Sequence, residues 1–201
     1  NNDRPGIMLS SAVKKYADHY GVICGKNNIF FTNNDSAYES AISLHKKGIK
    51  IQAIIDIREN SKSSLVEEAT NLGIKIYWSH TVVDTVGYKK INKISLKKLS
   101  NDGQSTTGSK INISCDCLGV SGGWTPAVHL FTQSGGKLKF RDKDQVFIPN
   151  KYPSKQISIG SCNGDFSLND IIKNCLNSLK KFLEIENIAY ENLDIINPIE
   201  T

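Results

Sequence analysis

The chain has 201 residues, 39% hydrophobic and 22% charged, with a formal net charge of +5. That balance belongs to an ordinary globular protein, and the length allows one large domain or two small ones. No apolar run approaches the roughly 20 residues that a membrane helix needs, and no signal-peptide pattern opens the chain. The lysines come in scattered pairs (Lys46/Lys47, Lys89/Lys90, Lys97/Lys98, Lys180/Lys181) without interleaved aromatics. This argues against a nucleic-acid surface.

The start, Asn1 to Gly6, lacks an initiator methionine and reads as the cut edge of a longer protein. Residues 9–20 then place Val13, Tyr16, Ala17 and Tyr20 at helical spacing behind a serine cap. Gly21 and Gly25 break the chain before a strand from Ile29 to Thr32. A helix carrying Ala37, Tyr38, Ala41, Ile42 and Leu44 follows and stops at Gly48. The run Ile49 to Ile57 is continuously apolar, as expected for a parallel strand covered on both faces. A helix ending at Gly73 and a strand from Ile74 to Trp78 complete a β-α-β-α-β order, which predicts a parallel, right-handed three-layer unit.

Beyond Trp78 the pattern changes. Residues 81–88, 90–99 and 110–122 are strand-like without helices between them, so a β-meander is expected, with Asn101 to Ser109 as its flexible tip. Residues 124–150 look irregular. Gln156 to Gly160 reads as a short strand, and the polar turn after it leads into a helix with Leu168, Ile171, Ile172, Cys175, Leu176, Leu179, Phe182 and Leu183 on one stripe.

The first strand–turn–helix resembles the opening of a dinucleotide-binding unit, but its turn is Thr32-Asn33-Asn34-Asp35-Ser36, with no glycine. A glycine-rich turn lets the backbone approach a pyrophosphate. Asn33 and Asn34 are the non-glycine residues that best tolerate a left-handed backbone. Asp35 or Ser36 is expected to cap the helix, and an Asp carboxylate there repels an anion. Asp56, closing the second strand, stands where such units hold the adenosine ribose; pairing with Arg58 is its plainer role.

Gly119, Gly122 and Gly123 follow a strand and suggest close backbone approach to a ligand or a neighbouring strand. The turn holding Gly160, Asn163 and Gly164 contains true glycines and is the better phosphate candidate. Five cysteines (Cys24, Cys115, Cys117, Cys162, Cys175) have no framework or metal spacing and read as reduced thiols in a cytoplasmic setting. Cys115 and Cys117, two apart in a strand, are expected on one face. His19, His45, His80 and His129 each have a plain structural role. No catalytic residues and no metal ligands can be assembled from the sequence.

Three blocks, "RPGIMLSSAVKKYADHYGV", "TNNDSAYESA" and "CDCLGVSGGWTPAVHLFTQSGGKL", resemble the α subunit of heterotetrameric sarcosine oxidase, from Arg4 to about Leu183. More distantly the layout resembles the flavoprotein disulfide-reductase superfamily, in which an NAD domain is inserted between two halves of an FAD-type domain. The resemblance implies an α/β fold: a Rossmann-like βαβαβ unit with a β-meander, plus the returning C-terminal half of an FAD/NAD-type domain. Residues 1–26 would be a lead-in segment from the flanking dinucleotide domain, 27–120 the NAD-domain-like unit, and 121–201 the returning segment.

It further implies a complex with β, γ and δ subunits that oxidatively demethylates sarcosine to glycine, with hydrogen peroxide and formaldehyde or methylene-tetrahydrofolate as the other products. FAD, FMN and tetrahydrofolate are implied for the whole complex and NAD for the α subunit, at a site formed largely by residues outside this chain. Gly119 to Gly123 and Gly160 to Gly164 would border that site, and this chain alone would catalyse nothing. A related amine or proline dehydrogenase α subunit shares this plan, and a vestigial interaction module is the remaining alternative.

Overall fold

The computed structural model describes residues 3–153 and 156–185, in two compact units divided between Gly123 and Trp124. The last residues assigned above to the returning segment, 186–201, lie outside the described residues.

The first unit is built on a five-stranded parallel sheet. Its strands are β1 (Ile7–Leu9), β2 (Asn28–Thr32), β3 (Ile51–Asp56), β4 (Ile76–Trp78) and β8 (Cys117–Ser121), in the order β1-β8-β2-β3-β4. Helices α1 (Ser10–Tyr20), α2 (Ser36–Lys46) and α3 (Ser64–Asn71) cover one face. They bury Val13, Tyr38, Ala41, Leu44 and Ala69 against Phe30 and Ile54 of the sheet. The opposite face carries an antiparallel meander of β5 (His80–Val86), β6 (Lys93–Leu99) and β7 (Thr106–Ser114). Between these layers lies a second core of Ile29, Ile55, Ile91, Ile94, Leu96, Cys115 and Leu118. Alternate residues of the apolar strands feed opposite cores, so a continuous hydrophobic run is needed.

Several sequence expectations change here. Residues 7–20 do not stand apart as a flanking segment: β1 pairs with β8, and Val13 of α1 joins the first core. A three-residue strand is too short to leave a periodic signal. Leu9, not a serine, is the residue ahead of α1, and it offers no side-chain cap. Cys115 and Cys117 serve opposite cores, because the chain bends at Asp116. The Asp116 carboxylate accepts the N–H groups of Lys26 and Asn27 at 3.0 and 2.7 Å, which takes it out of the strand pattern. The meander tip is shorter than its composition suggests, since β7 already begins at Thr106.

The second unit contains α4 (His129–Gln133) and a hairpin of β9 (Lys137–Arg141) and β10 (Val146–Lys151), in the stretch that reads as irregular. Residues 156–159 form no strand; a 3-10 turn at Gly160–Asn163 leads towards α5 (Leu168–Ile185). The apolar segments of the hairpin are too short and too interrupted by charge to show a clear period.

Candidate functional site

In the first unit the chain runs outward from β2 through β3 to β4 and returns as β8 on the other side of β2. The order therefore reverses at β2. In open α/β sheets, ligands settle outside the carboxyl ends of the strands at such a reversal. The residues gathered there are Thr32 to Ser36, Asp56 to Arg58, and Ser121 to Gly123.

The glycine-free turn is held by its own amides. The Oδ1 of Asn34 accepts the backbone N–H of Ser36 at 3.0 Å and its hydroxyl at 2.5 Å. The Nδ2 of Asn34 donates to Asn33 Oδ1 at 2.7 Å and to Ser121 Oγ at 3.2 Å, while Asn33 Nδ2 reaches the Gly122 carbonyl at 3.2 Å. Thr32 Oγ1 closes the turn by donating to the Asn34 carbonyl and accepting the Asn34 N–H. Neither Asn33 nor Asn34 uses a left-handed backbone. Asp35 stands at the cap position of α2, but its side chain makes no cap bond. The carboxylate pairs instead with Arg58 Nη2 at 2.8 Å. Asn34, one residue earlier, does the capping.

Asp56 is fully buried. Its Oδ2 accepts from the Tyr38 hydroxyl at 2.9 Å and Arg58 Nη2 at 2.7 Å, and its Oδ1 from the Arg58 backbone N–H and Nε, both at 3.0 Å. Burial, reinforced by the charge and hydrogen bond of Asp56, pushes the Tyr38 phenol well above its ordinary value. Burial alone would lower the Arg58 guanidinium, but its bonds to Asp56 and Asp35 outweigh this and hold it charged above its ordinary range. Pairing of Arg58 with Asp56 was legible in the sequence. The parts played by Tyr38 and Ser121 were not: Ser121 meets the turn only through the parallel register that aligns it with Thr32.

The glycines divide by role. Gly119 is a packing residue, since a Cβ there would lie 2.7 Å from the Phe30 ring. Gly122 has open space around it, and Gly123 borders Asn33 and Asn34. In the second unit, Gly160 opens the 3-10 turn and Gly164 follows it, with φ of 77° and 83°. Asn163 is its last residue, Gly164 donates to the Ser161 carbonyl, and Arg141 Nη2 holds the Gly164 carbonyl at 2.7 Å. Among the described residues, no three His, Cys, Asp or Glu side chains gather as a metal-ligand set, and no helix is long and apolar enough to cross a membrane.

A dinucleotide at the β2–α2 turn would need free helix N–H groups for its phosphates and a free carboxylate for its ribose. Here the first helix N–H group is capped by Asn34, and both oxygens of Asp56 are taken. The residues of this turn do not fit the group.

Layering and topology define the class: a dinucleotide-binding-type α/β fold of the kind found in FAD- and NAD-dependent oxidoreductases. Solved structures share it at low identity. Thioredoxin reductase of T. acidophilum matches with a TM-score of 0.57 at 16% identity, over 90% of this chain and 58% of that one. The HOCl-induced flavoprotein disulfide reductase RclA of Escherichia coli matches with a TM-score of 0.59 at 12% identity, over 92% of this chain and 39% of that one. L-proline dehydrogenase of P. horikoshii gives 0.54 at 16%, over 95% and 32%.

In sequence, the chain is related to the sarcosine oxidase α subunit, as its three quoted blocks suggest. It is 34% identical over 168 residues to that subunit of Corynebacterium sp. strain P-1, and 32% identical over 164 residues to that of strain U-96. Those matches take in 83% and 82% of this chain but 17% of either relative, so the chain spans about a sixth of their length. No family model matches the sequence.

Proposed function

We propose that this chain serves as the corresponding part of an α subunit in a sarcosine oxidase-type complex that oxidises a secondary amine at its CH–NH bond. The observation that carries the reading is the 34% identity spread over 83% of the chain, which a shared nucleotide-binding fold alone does not require. In this role the chain is a scaffold: its parallel sheet and meander form a rigid body beside the redox centres. The second-unit turn at Gly160, Asn163 and Gly164 borders a dinucleotide, NAD in the α subunit, together with residues outside this chain. FAD, FMN and tetrahydrofolate belong to the rest of the assembly, as do the β, γ and δ subunits. The chain itself supplies no nucleophile or general base, and the complex works in the cytoplasm.

A dehydrogenase complex acting on proline is the second reading, favoured by the fold match to L-proline dehydrogenase over 95% of the chain. Purifying the full-length protein with its partners separates the two. Sarcosine-dependent oxygen uptake with hydrogen peroxide release supports the oxidase. Proline-dependent reduction of a dye without oxygen uptake supports the dehydrogenase. Absence of flavin from the purified assembly contradicts both.

A further inference from the structure

We infer that the crevice between β2 and β8 takes no dinucleotide, because this chain's own side chains fill both places that a dinucleotide would use. The inference rests on the first unit alone and holds whichever complex the chain serves.

The phosphate place is filled first. A pyrophosphate at a helix start binds because backbone N–H groups there lack partners. Asn34 Oδ1 accepts the Ser36 N–H, and Ser36 Oγ and Ser121 Oγ lie 3.0 Å apart beside it. The side-chain amides of Asn33 and Asn34 then cross to the end of β8, through Gly122 O and Ser121 Oγ. These bonds bridge the gap along which a pyrophosphate would pass.

The ribose place is closed by charge. Asp56 faces inward, bonded to Tyr38 and Arg58, and the same guanidinium turns to Asp35 at the helix start. Two carboxylates share one cation, so the cluster carries a net negative charge, and Asp35 places part of it at the helix start, where a pyrophosphate would bring two more negative charges. Arg58 is committed to both acids and is not a spare cation for a phosphate. Freeing Asp56 for a ribose would break its pair with Arg58 and leave a buried carboxylate uncompensated, which is strongly unfavourable. The polar network instead fixes the loops at the strand ends, which suits a scaffold.

The test is hydrogen–deuterium exchange on the full protein in the assembly in which it purifies, with and without NAD+ or NADH at about 1 mM, enough to fill a micromolar site. Exchange in residues 33–38, 56–59 and 121–123 is expected to be unchanged, whether or not nucleotide protects another segment. An Asn33→Trp variant, which plugs the crevice from an exposed position, is expected to change any measured NADH affinity by less than about twofold. Protection of those three segments that is lost in Asn33→Trp, with a tenfold or larger fall in affinity, overturns the inference.

Discussion

Arg58 Nη2 lies 2.7 Å from Asp56 Oδ2 and 2.8 Å from Asp35 Oδ1, so one guanidinium ties the end of β3 to the start of α2. Asp56 is fully buried whereas the Arg58 side chain keeps 28% of its exposure. Removing the cation therefore strands a buried carboxylate. Arg58→Ala is expected to cost about 2 to 3 kcal/mol, below the roughly 3 to 5 of a fully buried pair because Arg58 is partly solvated. In a double-mutant cycle with Asp56→Ala, followed by urea unfolding, the combined loss should fall short of the sum. Strict additivity would show that the two side chains are not coupled.

Tyr38 gives the same cluster a dependence on pH. Its hydroxyl donates to Asp56, and burial with that neighbouring charge raises the phenol above its unfolded value of about 10. A raised folded value means that the stabilisation is complete below pH about 10 and is lost as pH climbs further, when the unfolded chain ionises first. Tyr38→Phe is expected to cost about 1 to 3 kcal/mol near neutral pH. The stability gap between wild type and Tyr38→Phe should narrow above pH about 10. A gap constant through pH about 11 would contradict the assignment.

How much of this was legible follows the range of the interactions. The β-α-β-α-β order and the capping glycines are local patterns, and they read correctly. The meander did so only in part: the stretch 110–122 divides into the end of β7 and β8, which leaves the meander to pair with β1 and β2 in the parallel sheet. The pairing of Arg58 with Asp56 spans two positions and was also visible. Ser121 lies 87 positions from Asn34, and only parallel register brings them together. The bend at Asp116 depends on Lys26 and Asn27, about 90 positions away. A cysteine pair two apart therefore looked like one face and is two. Gly119 left open a ligand or a neighbouring strand because a glycine signals closeness without saying to what; the neighbour is the Phe30 ring of the adjacent strand β2.

The cysteines lead to a chemical prediction. Burial, with help from Asp116, pushes the Cys115 thiol up to about 11, and burial followed by the neighbouring Cys24 and Asp116 pushes Cys117 up to about 12. The thiolate is the reactive form, and an ordinary thiol titrates near 8.5. At pH about 8, both should resist a thiol-disulfide reagent in the native protein and react at once in urea. Mass mapping of the labelled sites checks this. Native labelling of Cys117 as fast as in urea would mean that the junction between the two cores opens readily.

Gly119 and Gly122, three residues apart, separate a packing requirement from open space. Gly119 lies in the middle of β8, paired through register with Phe30, and a Cβ there would stand 2.7 Å from its ring. That ring is fully buried in the first core, so it has little room to move aside. Gly119→Ala is therefore expected to cost about 1 to 3 kcal/mol, the usual penalty of overpacking. Phe30→Leu in the same chain should recover part of it, since the smaller side chain makes room, and the two changes should be non-additive by about 1 kcal/mol. Gly122→Ala meets nothing within 4 Å and should stay within about 0.5 kcal/mol of wild type. Urea unfolding of the four variants measures all three terms. Equal losses at both glycines would show that the sheet end, not the Phe30 contact, sets the requirement.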